Sequence, residues 1–516
     1  MKKMPKWLND AIFYEIYPQS FYDSNGDGIG DINGITAKLD YIRNLGFNAL
    51  WLNPCFESPF MDAGYDVADY CKVAPRYGTN GDLYRLFDEA HKKGIRVILD
   101  LVPGHTSDKH EWFKQSALPA QNEYSDRYVW TKSAWDRPEG YSWVAGNADR
   151  DGCYMLNFFL SQPALNYGFN KITHPEWQIP YTDERVQATF DEMLNVMRFW
   201  LDKGCDGFRV DMADSLVKND EDKTATSALW RKARKMLDES YPEAVLVSEW
   251  CNAPRAINNA GFHCDFMLDH WYKLLHYATR QVDEKGVNSS YFCKTAHVSA
   301  KAMLQGYLKE LAETRDNGYI SIISGNHDTP RIAWTLDERE RMLFFVMLAT
   351  MPGVPFVYYG DEIGMRYLPQ SSKEGGYNRT GSRTPMQWDK NLANLGFSEA
   401  SPSKLYLDVD RSDDAPCAKQ ELEFGLSLAC QIKELNELRH ANADLQASAS
   451  LEILQCTDDG VLCYKRGEHI AVAFNPTDGQ RILNMPMGEV LYQVNAFMRK
   501  EDRTILAPQT AVVFKI

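Results

Sequence analysis

Short, continuously apolar runs rich in β-branched and aromatic residues recur along this chain, bounded by turn signals and separated by helical patterns. They are AIFYEIYP (11–18), NALWLNP (48–54), RVILDLV (96–102), GFRVDM (207–212), AVLVSEW (244–250), YISIISG (319–325) and VPFVYYG (354–360), with a weaker eighth, CDFMLD (264–269). A run without alternation has no solvent face, so it suits a parallel strand covered on both sides. Between the runs, Leu83, Leu86, Phe87 and Ala90 share one helix face before Gly94, and Phe190, Leu194, Met197 and Leu201 repeat the pattern before Gly204. Apolar residues three and four apart, ended by glycine, mark an amphipathic helix and its C-terminus. Eight strand–helix units predict an α/β fold, a closed (β/α)₈ barrel, with an open doubly wound sheet as the alternative.

One interval breaks the rhythm. About a hundred residues separate the third run from the fourth, far more than an ordinary connection. The segment 105–175 is rich in Trp, Tyr, Asn, Asp and Pro and reads as an inserted subdomain. Residues 1–104 and 176–440 then form the barrel, closing with a helix around 419–440. Residues 441–516 change character: LEILQC, VLCYKR, HIAVAFNP, VLYQVN and TAVVFKI follow one another without helices, which predicts a small all-β sandwich.

Composition narrows the partners. The net charge is −15 with no basic tract, which argues against nucleic acid and anionic membrane, since Lys and Arg carry phosphate binding. No apolar run reaches the roughly 18–20 residues of a membrane span. The opening MKKMPKWLND has no apolar stretch behind it, so no signal peptide is expected. Eleven cysteines without a CxxC pair suit a reduced, cytoplasmic protein. Oligomeric state is open.

In such a barrel the loops after the strands build the active site. The fourth run ends in Arg209 and Asp211, the fifth in Glu249, the third leads to His105, and His327 and Asp328 follow the seventh. Three carboxylates from three strands thus meet on one rim. Cleaving a glycosidic bond needs one carboxyl group to protonate the leaving oxygen and a second to attack the anomeric carbon or activate water.

These segments resemble the α-amylase superfamily, glycoside hydrolase family 13. DLVPGHTS (100–107), DGFRVDMAD (206–214), VSEW (247–250) and SGNHDTPR (324–331) resemble its four conserved regions, in order. The resemblance implies a retaining hydrolase with Asp211 as nucleophile, Glu249 as general acid and base, and Asp328 holding sugar hydroxyls. It places His105 and His327 on hydroxyls of the same glucose and Arg209 beside the nucleophile, two residues away on the same strand face. In GYD (64–66), Tyr65 would stack on the sugar and Asp66 would hold the chain end, paired with Arg383 of SRTPMQW (382–388). SQPALN (161–166) is close to the signature of the oligo-1,6-glucosidase and α-glucosidase branch. An exo-acting α-glucosidase on short, α-linked gluco-oligosaccharides follows. A trehalose-synthase-like transglycosylase or isomerase and an endo-acting α-amylase are the alternatives.

DSNGDGIGD (23–31) sets oxygen donors at alternate positions, Asp23, Asn25, Asp27 and Asp31, among glycines. Hard cations favour such a set. It resembles half an EF-hand loop and the calcium loop of the same branch, where the carbonyl of Ile29 would join, so structural calcium is expected, with magnesium as the alternative. The chain departs from the family pattern at Gly104, where most members carry asparagine, at Met212 after the nucleophile, and at Ser248, where glycine usually precedes the acid.

Overall fold

The computed structural model describes residues 4–268, 273–295, 298–370, 373 and 379–516. The eight runs become eight parallel strands: β1 (Phe13–Ile16), β2 (Ala49–Leu52), β3 (Arg96–Leu101), β4 (Gly207–Val210), β5 (Val245–Ser248), β6 (Cys264–Met267), β7 (Tyr319–Ile323) and β8 (Val354–Tyr358). Asp269, at the end of the eighth run, lies outside the described residues. Phe13 pairs with Ala49 on one side and Phe356 on the other, so the sheet closes into a barrel and the open alternative is excluded. Apart from partly exposed residues at the starts of β3 and β7, all strand residues are buried, as their unbroken apolar character requires.

The helices dock as the periodicity dictates. Leu83, Leu86, Phe87 and Ala90 form the buried face of Asn80–Lys92, whose first turn is closed by a Thr79–Asp82 capping box. Gly94 follows with φ +72°, a conformation glycine adopts without strain. Inside the barrel Trp51, Phe266 and Phe356 meet ring to ring at 4.9–6.2 Å, and Phe13 stacks on Phe356 at 4.3 Å. This aromatic plug is the floor on which the site rests.

The segment between β3 and β4 carries its own small core of Val129, Met155, Ala164, Phe169 and Trp177. Its QPALN stretch is tied to the barrel by backbone pairing: Leu165 donates to the Gly104 carbonyl and Thr106 to that of Pro163. A side chain at Gly104 would strike Asn157 Nδ2 at 2.7 Å, so glycine there lets the insert seat.

The five C-terminal runs form one sheet, in the order Leu451–Cys456, Leu462–Arg466, Ile470–Asn475, Thr510–Lys515 and Val490–Val494. Alternate residues serve its two faces. Cys463, Ala471, Ala473, Val512 and Phe514 pack toward a second sheet, while Leu462, Tyr464, Val472, Phe474 and Val513 join the barrel core. The second sheet (Arg481–Leu483, Thr504–Leu506, Phe497–Arg499) has no sequence signal, since each strand is three residues long. The helix expected at 419–440 is two, Ala418–Glu423 and Leu428–Ala441. Ser427 accepts from Cys430 N–H and caps the second, so the chain breaks before it.

Two fully buried arginines join barrel and sandwich. Arg439 donates to the carbonyls of Ala349, Met351 and Gly353, and Arg466 to those of Thr350, Ser450 and Gln446. They meet the C-terminal carbonyls of Glu338–Thr350, where a helix offers unpaired acceptors and partial negative charge.

His440 closes the barrel bottom, with Nδ1 2.8 Å from Asp10 Oδ1 and Nε2 2.8 Å from the Gly46 carbonyl. Both partners accept, so the pairing favours the protonated ring, in which both nitrogens donate. Burial works against that charge, but the Asp10 hydrogen bond, the Gly46 carbonyl and the Asp10 charge outweigh it and raise the pKa. A raised folded-state pKa stabilises below the unfolded value of about 6.5 and is lost as pH rises through the folded value. His440→Gln should therefore lower the melting temperature at about pH 5.5 and lose that deficit by about pH 8.5. A deficit independent of pH would contradict the imidazolium.

Candidate active site

At the C-terminal ends of the strands a cavity of about 180 Å³ opens, about the size of one hexose. Asp62, Tyr65, His105, Phe158, Asp211, Met212, Glu249, Asp328 and Arg379 line it. Asp211, Glu249 and Asp328, delivered by β4, β5 and the loop after β7, thus face one space.

Arg209 organises its floor. Asp100 and Arg209 are register partners on β3 and β4, and both point into the barrel. Nη1 of Arg209 lies 2.9 Å from Asp100 Oδ1 and 3.1 Å from Asp211 Oδ1, and Nη2 lies 2.8 Å from Glu249 Oε2. One buried guanidinium therefore serves three carboxylates. Burial pushes the Asp211 carboxyl well up, the neighbouring Glu249 charge adds to this, and Arg209 opposes both. Asp100 is raised to about 6, again by burial against Arg209. Each of these shifts is set by the whole cluster rather than by one neighbour.

The turn after Asp211 fixes the second acid. Met212 has φ +42°, rare for a side chain of its size, and its N–H donates to Glu249 Oε2 at 3.0 Å. Asp328 is held on the far wall, with Oδ1 2.6 Å from Arg379 Nη1 and 2.9 Å from Arg383 Nη2. Burial would raise its pKa, but the guanidinium groups of Arg379, Arg383 and Arg209 together hold it well below the usual carboxylate range.

The histidines are neutral. His105 is lowered to about 4 by burial; its Nε2 lies 3.1 Å from the Tyr65 carbonyl and its Nδ1 3.1 Å from Asn157 Nδ2. Burial likewise drives His327 well down. His327 stands behind the wall: Nε2 meets the Tyr65 hydroxyl at 2.7 Å, Nδ1 meets Glu15 at 2.9 Å, and its ring stacks on Tyr65 at 5.2 Å.

The expected Asp66–Arg383 pair does not form. Asp66 is fully buried and accepts from Ser58 Oγ, Met61 N–H and Asp62 N–H at 2.8–3.1 Å, so it organises a loop rather than meeting the cavity. That loop presents Asp62 instead, whose Oδ1 pairs with Arg379 at 2.7 Å and whose Oδ2 accepts from Gln162 at 2.8 Å. Arg379 thus bridges Asp62 and Asp328 across one side of the cavity, and Arg383 braces Asp328 from behind. Both arginines flank the single turn Thr380–Ser382, which is why they arrive together. The signals for the missed residues were present: Asp62 lies three before Tyr65, Arg379 four before Arg383, and Gln162 opens the QPALN stretch.

The Asp23–Asp31 loop lies away from the cavity. Asp23 accepts from the N–H groups of Asn25, Gly26 and Gly28 and from Ser398 Oγ, and Asp31 caps the helix that follows, accepting from Gly34 N–H and Ser24. Asn25 and Asp27 each accept the N–H two residues on, curling the loop. Among the described residues no three His, Cys, Asp or Glu side chains cluster as metal ligands. A cation here would draw on the expected donors, Asp23, Asn25, Asp27, the Ile29 carbonyl and Asp31, of which Asp23 and Asp31 accept the N–H and hydroxyl groups just named.

Residues 15–448 match the family model described as Alpha amylase, catalytic domain. The trehalose synthase/amylase TreS of Mycolicibacterium smegmatis is 35% identical over 507 residues, covering 89% of this chain and 80% of that protein. The glucan 1,6-alpha-glucosidase of Streptococcus pneumoniae is 31% identical and covers 98% of both. The crystal structure of the trehalulose synthase MutB from Pseudomonas mesoacidophila MX-45 superposes with a TM-score of 0.81 at 27% identity, covering 99% of each chain. The barrel, the acids on its rim and these matches agree: the chain belongs to the α-amylase family, glycoside hydrolase family 13, and is an enzyme acting on glycosidic bonds.

Proposed function

We propose that this enzyme is an exo-acting, retaining α-glucosidase for short gluco-oligosaccharides. The observation that carries the reading is the Asp62–Arg379–Asp328 bridge beside a cavity of hexose size, which closes the space behind one terminal glucose. Asp211 attacks the anomeric carbon while Glu249 protonates the departing oxygen, giving a β-linked glucosyl ester. Glu249 then takes a proton from water, which attacks the same carbon and frees Asp211, so the product is the α-anomer. Asp328 grips ring hydroxyls, Tyr65 offers its face to the sugar, and His105 borders the same space. The substrate is neutral, which suits an acidic protein. Eleven free cysteines support action in the cytoplasm, and among the described residues no helix is long and apolar enough to cross a membrane.

A second reading shares the first half of this chemistry. The relatives named trehalose synthase and trehalulose synthase favour a sugar, rather than water, as the acceptor of the glucosyl ester. An endo-acting enzyme is disfavoured on the same ground, the Asp62–Arg379–Asp328 bridge beside the cavity.

Incubation with maltose, isomaltose, sucrose, trehalose and maltoheptaose, with products resolved over time, separates these readings. Early release of α-glucose from the short substrates is expected, with maltoheptaose losing one unit at a time. Fragments without early glucose would refute exo action, and an isomeric disaccharide as the main product would select the second reading. Asp62→Asn should lower kcat/KM about ten- to hundred-fold by breaking the bridge at the chain end. An unchanged value would remove Asp62 from the site.

The reading includes a structural calcium in the loop Asp23–Asp31, with magnesium as the alternative. Binding to the folded state alone raises the melting temperature by mass action. Calcium should therefore raise it by a few degrees over chelator, and Asp27→Ala should abolish the rise. Equal melting with calcium and with chelator would refute the site.

A further inference from the structure

One fully buried carboxylate stands behind the cavity without lining it. Asp265 lies on β6, beside the strand that delivers Glu249, and its register partner is Ser248. Three donors converge on it. Oδ1 accepts from Ser248 Oγ at 2.7 Å and from Trp250 N–H at 3.1 Å, and Oδ2 accepts from Asn252 N–H at 2.8 Å. These donors belong to the residue before Glu249, the residue after it and the third one after it, so Asp265 grips the peptide on both sides of Glu249 while the glutamate itself faces the cavity.

The grip has work to do there. Cys251, within the gripped segment, has φ +58°, an unfavourable conformation for a side chain that persists only where surrounding bonds hold it. Asn252 Oδ1 then accepts from Arg255 N–H, so the same segment starts the helix that follows. Ser248 is the residue that departs from the family's glycine, and its hydroxyl is one of the three donors. At its tip Glu249 is set by Arg209 Nη2 and Met212 N–H, and at its base by Asp265.

We propose that Asp265 is a positioning residue for Glu249, holding the peptide from which that carboxyl group reaches the glycosidic oxygen. The inference rests on the acid–base reading of Glu249 given above. It predicts damage confined to steps that need a proton delivered. A phenyl α-glucoside needs that proton, whereas the leaving group of a dinitrophenyl α-glucoside departs without it.

Asp265→Asn preserves volume but replaces one accepting oxygen with a donor amide. It should lower kcat/KM for the phenyl glucoside about ten- to hundred-fold, leave the dinitrophenyl glucoside within about threefold, and leave KM for maltose unchanged. Ser248→Gly removes one donor and should move the ratio of the two glucosides the same way by a smaller factor. It carries the comparison should Asp265→Asn fail to fold. Equal losses on both glucosides, or no loss on either, would overturn the proposal by reducing Asp265 to a general packing role. A native enzyme that hydrolyses dinitrophenyl and phenyl glucosides at rates insensitive to Glu249→Gln would instead overturn the reading on which it rests.

Discussion

Arg209 sits where a barrel can least accommodate charge, in its closed interior above a plug of aromatic rings. Its guanidinium lies 4.9 Å from the centre of the Trp51 ring and is almost wholly shielded from water. Three carboxylates, Asp100, Asp211 and Glu249, share it. Removing Arg209 would strand the buried carboxylates, typically at a cost of about 3–5 kcal/mol. The cluster is therefore a weak source of stability and a strong source of arrangement, because each acid has one position in which its charge is met.

Everything nearer the substrate is built outward from that layer. Asp100 takes the indole N–H of Trp51 and the hydroxyl of Tyr65, which in turn reaches His327. His327 connects to Glu15 on β1 and to Asn53 after β2, so neighbouring strands share one polar sheet beneath the cavity. The insert adds the wall. Asn157 lies against His105, Gln162 against Asp62, and Phe158 at the mouth. Lys218, partly buried and lowered to about 8 by desolvation, ties Asn157 to the Ser215 carbonyl and so fastens the insert to the loop after Asp211. Barrel and insert each hold part of the site, and the backbone pairing of Gly104–Thr106 with Pro163–Leu165 keeps the parts in register.

Much of this is legible in the chain because burial on both faces leaves a plain mark. The eight strands are unbroken apolar runs, and the two-residue step from Arg209 to Asp211 places both on one strand face. The helix faces follow from their spacing, and the five long C-terminal strands from their lack of helices. What escapes depends on loops. Asp62 and Asp66 are equally acidic neighbours of Tyr65, and only the path of the turn shows that Asp66 is consumed by N–H donors while Asp62 faces the cavity. Arg379 and Arg383 differ in the same way, by the sense of one helical turn. The three short strands of the second sheet are fixed by contact with Val512 and Phe514 rather than by their own composition. Ser427 restarts a helix that propensity alone would have continued.

Asp211, as the proposed nucleophile, should become covalently bonded to the sugar during turnover. An α-glucosyl fluoride carrying a second fluorine on its ring tests this most directly, since the electron-withdrawing ring substituent destabilises the cationic transition states while the fluoride leaving group still lets the ester form. Mass spectrometry of the treated protein should show one added fluoroglucosyl group, and peptide mapping should place it on Asp211. An adduct on Glu249, on Asp328 or on no carboxylate would contradict the account.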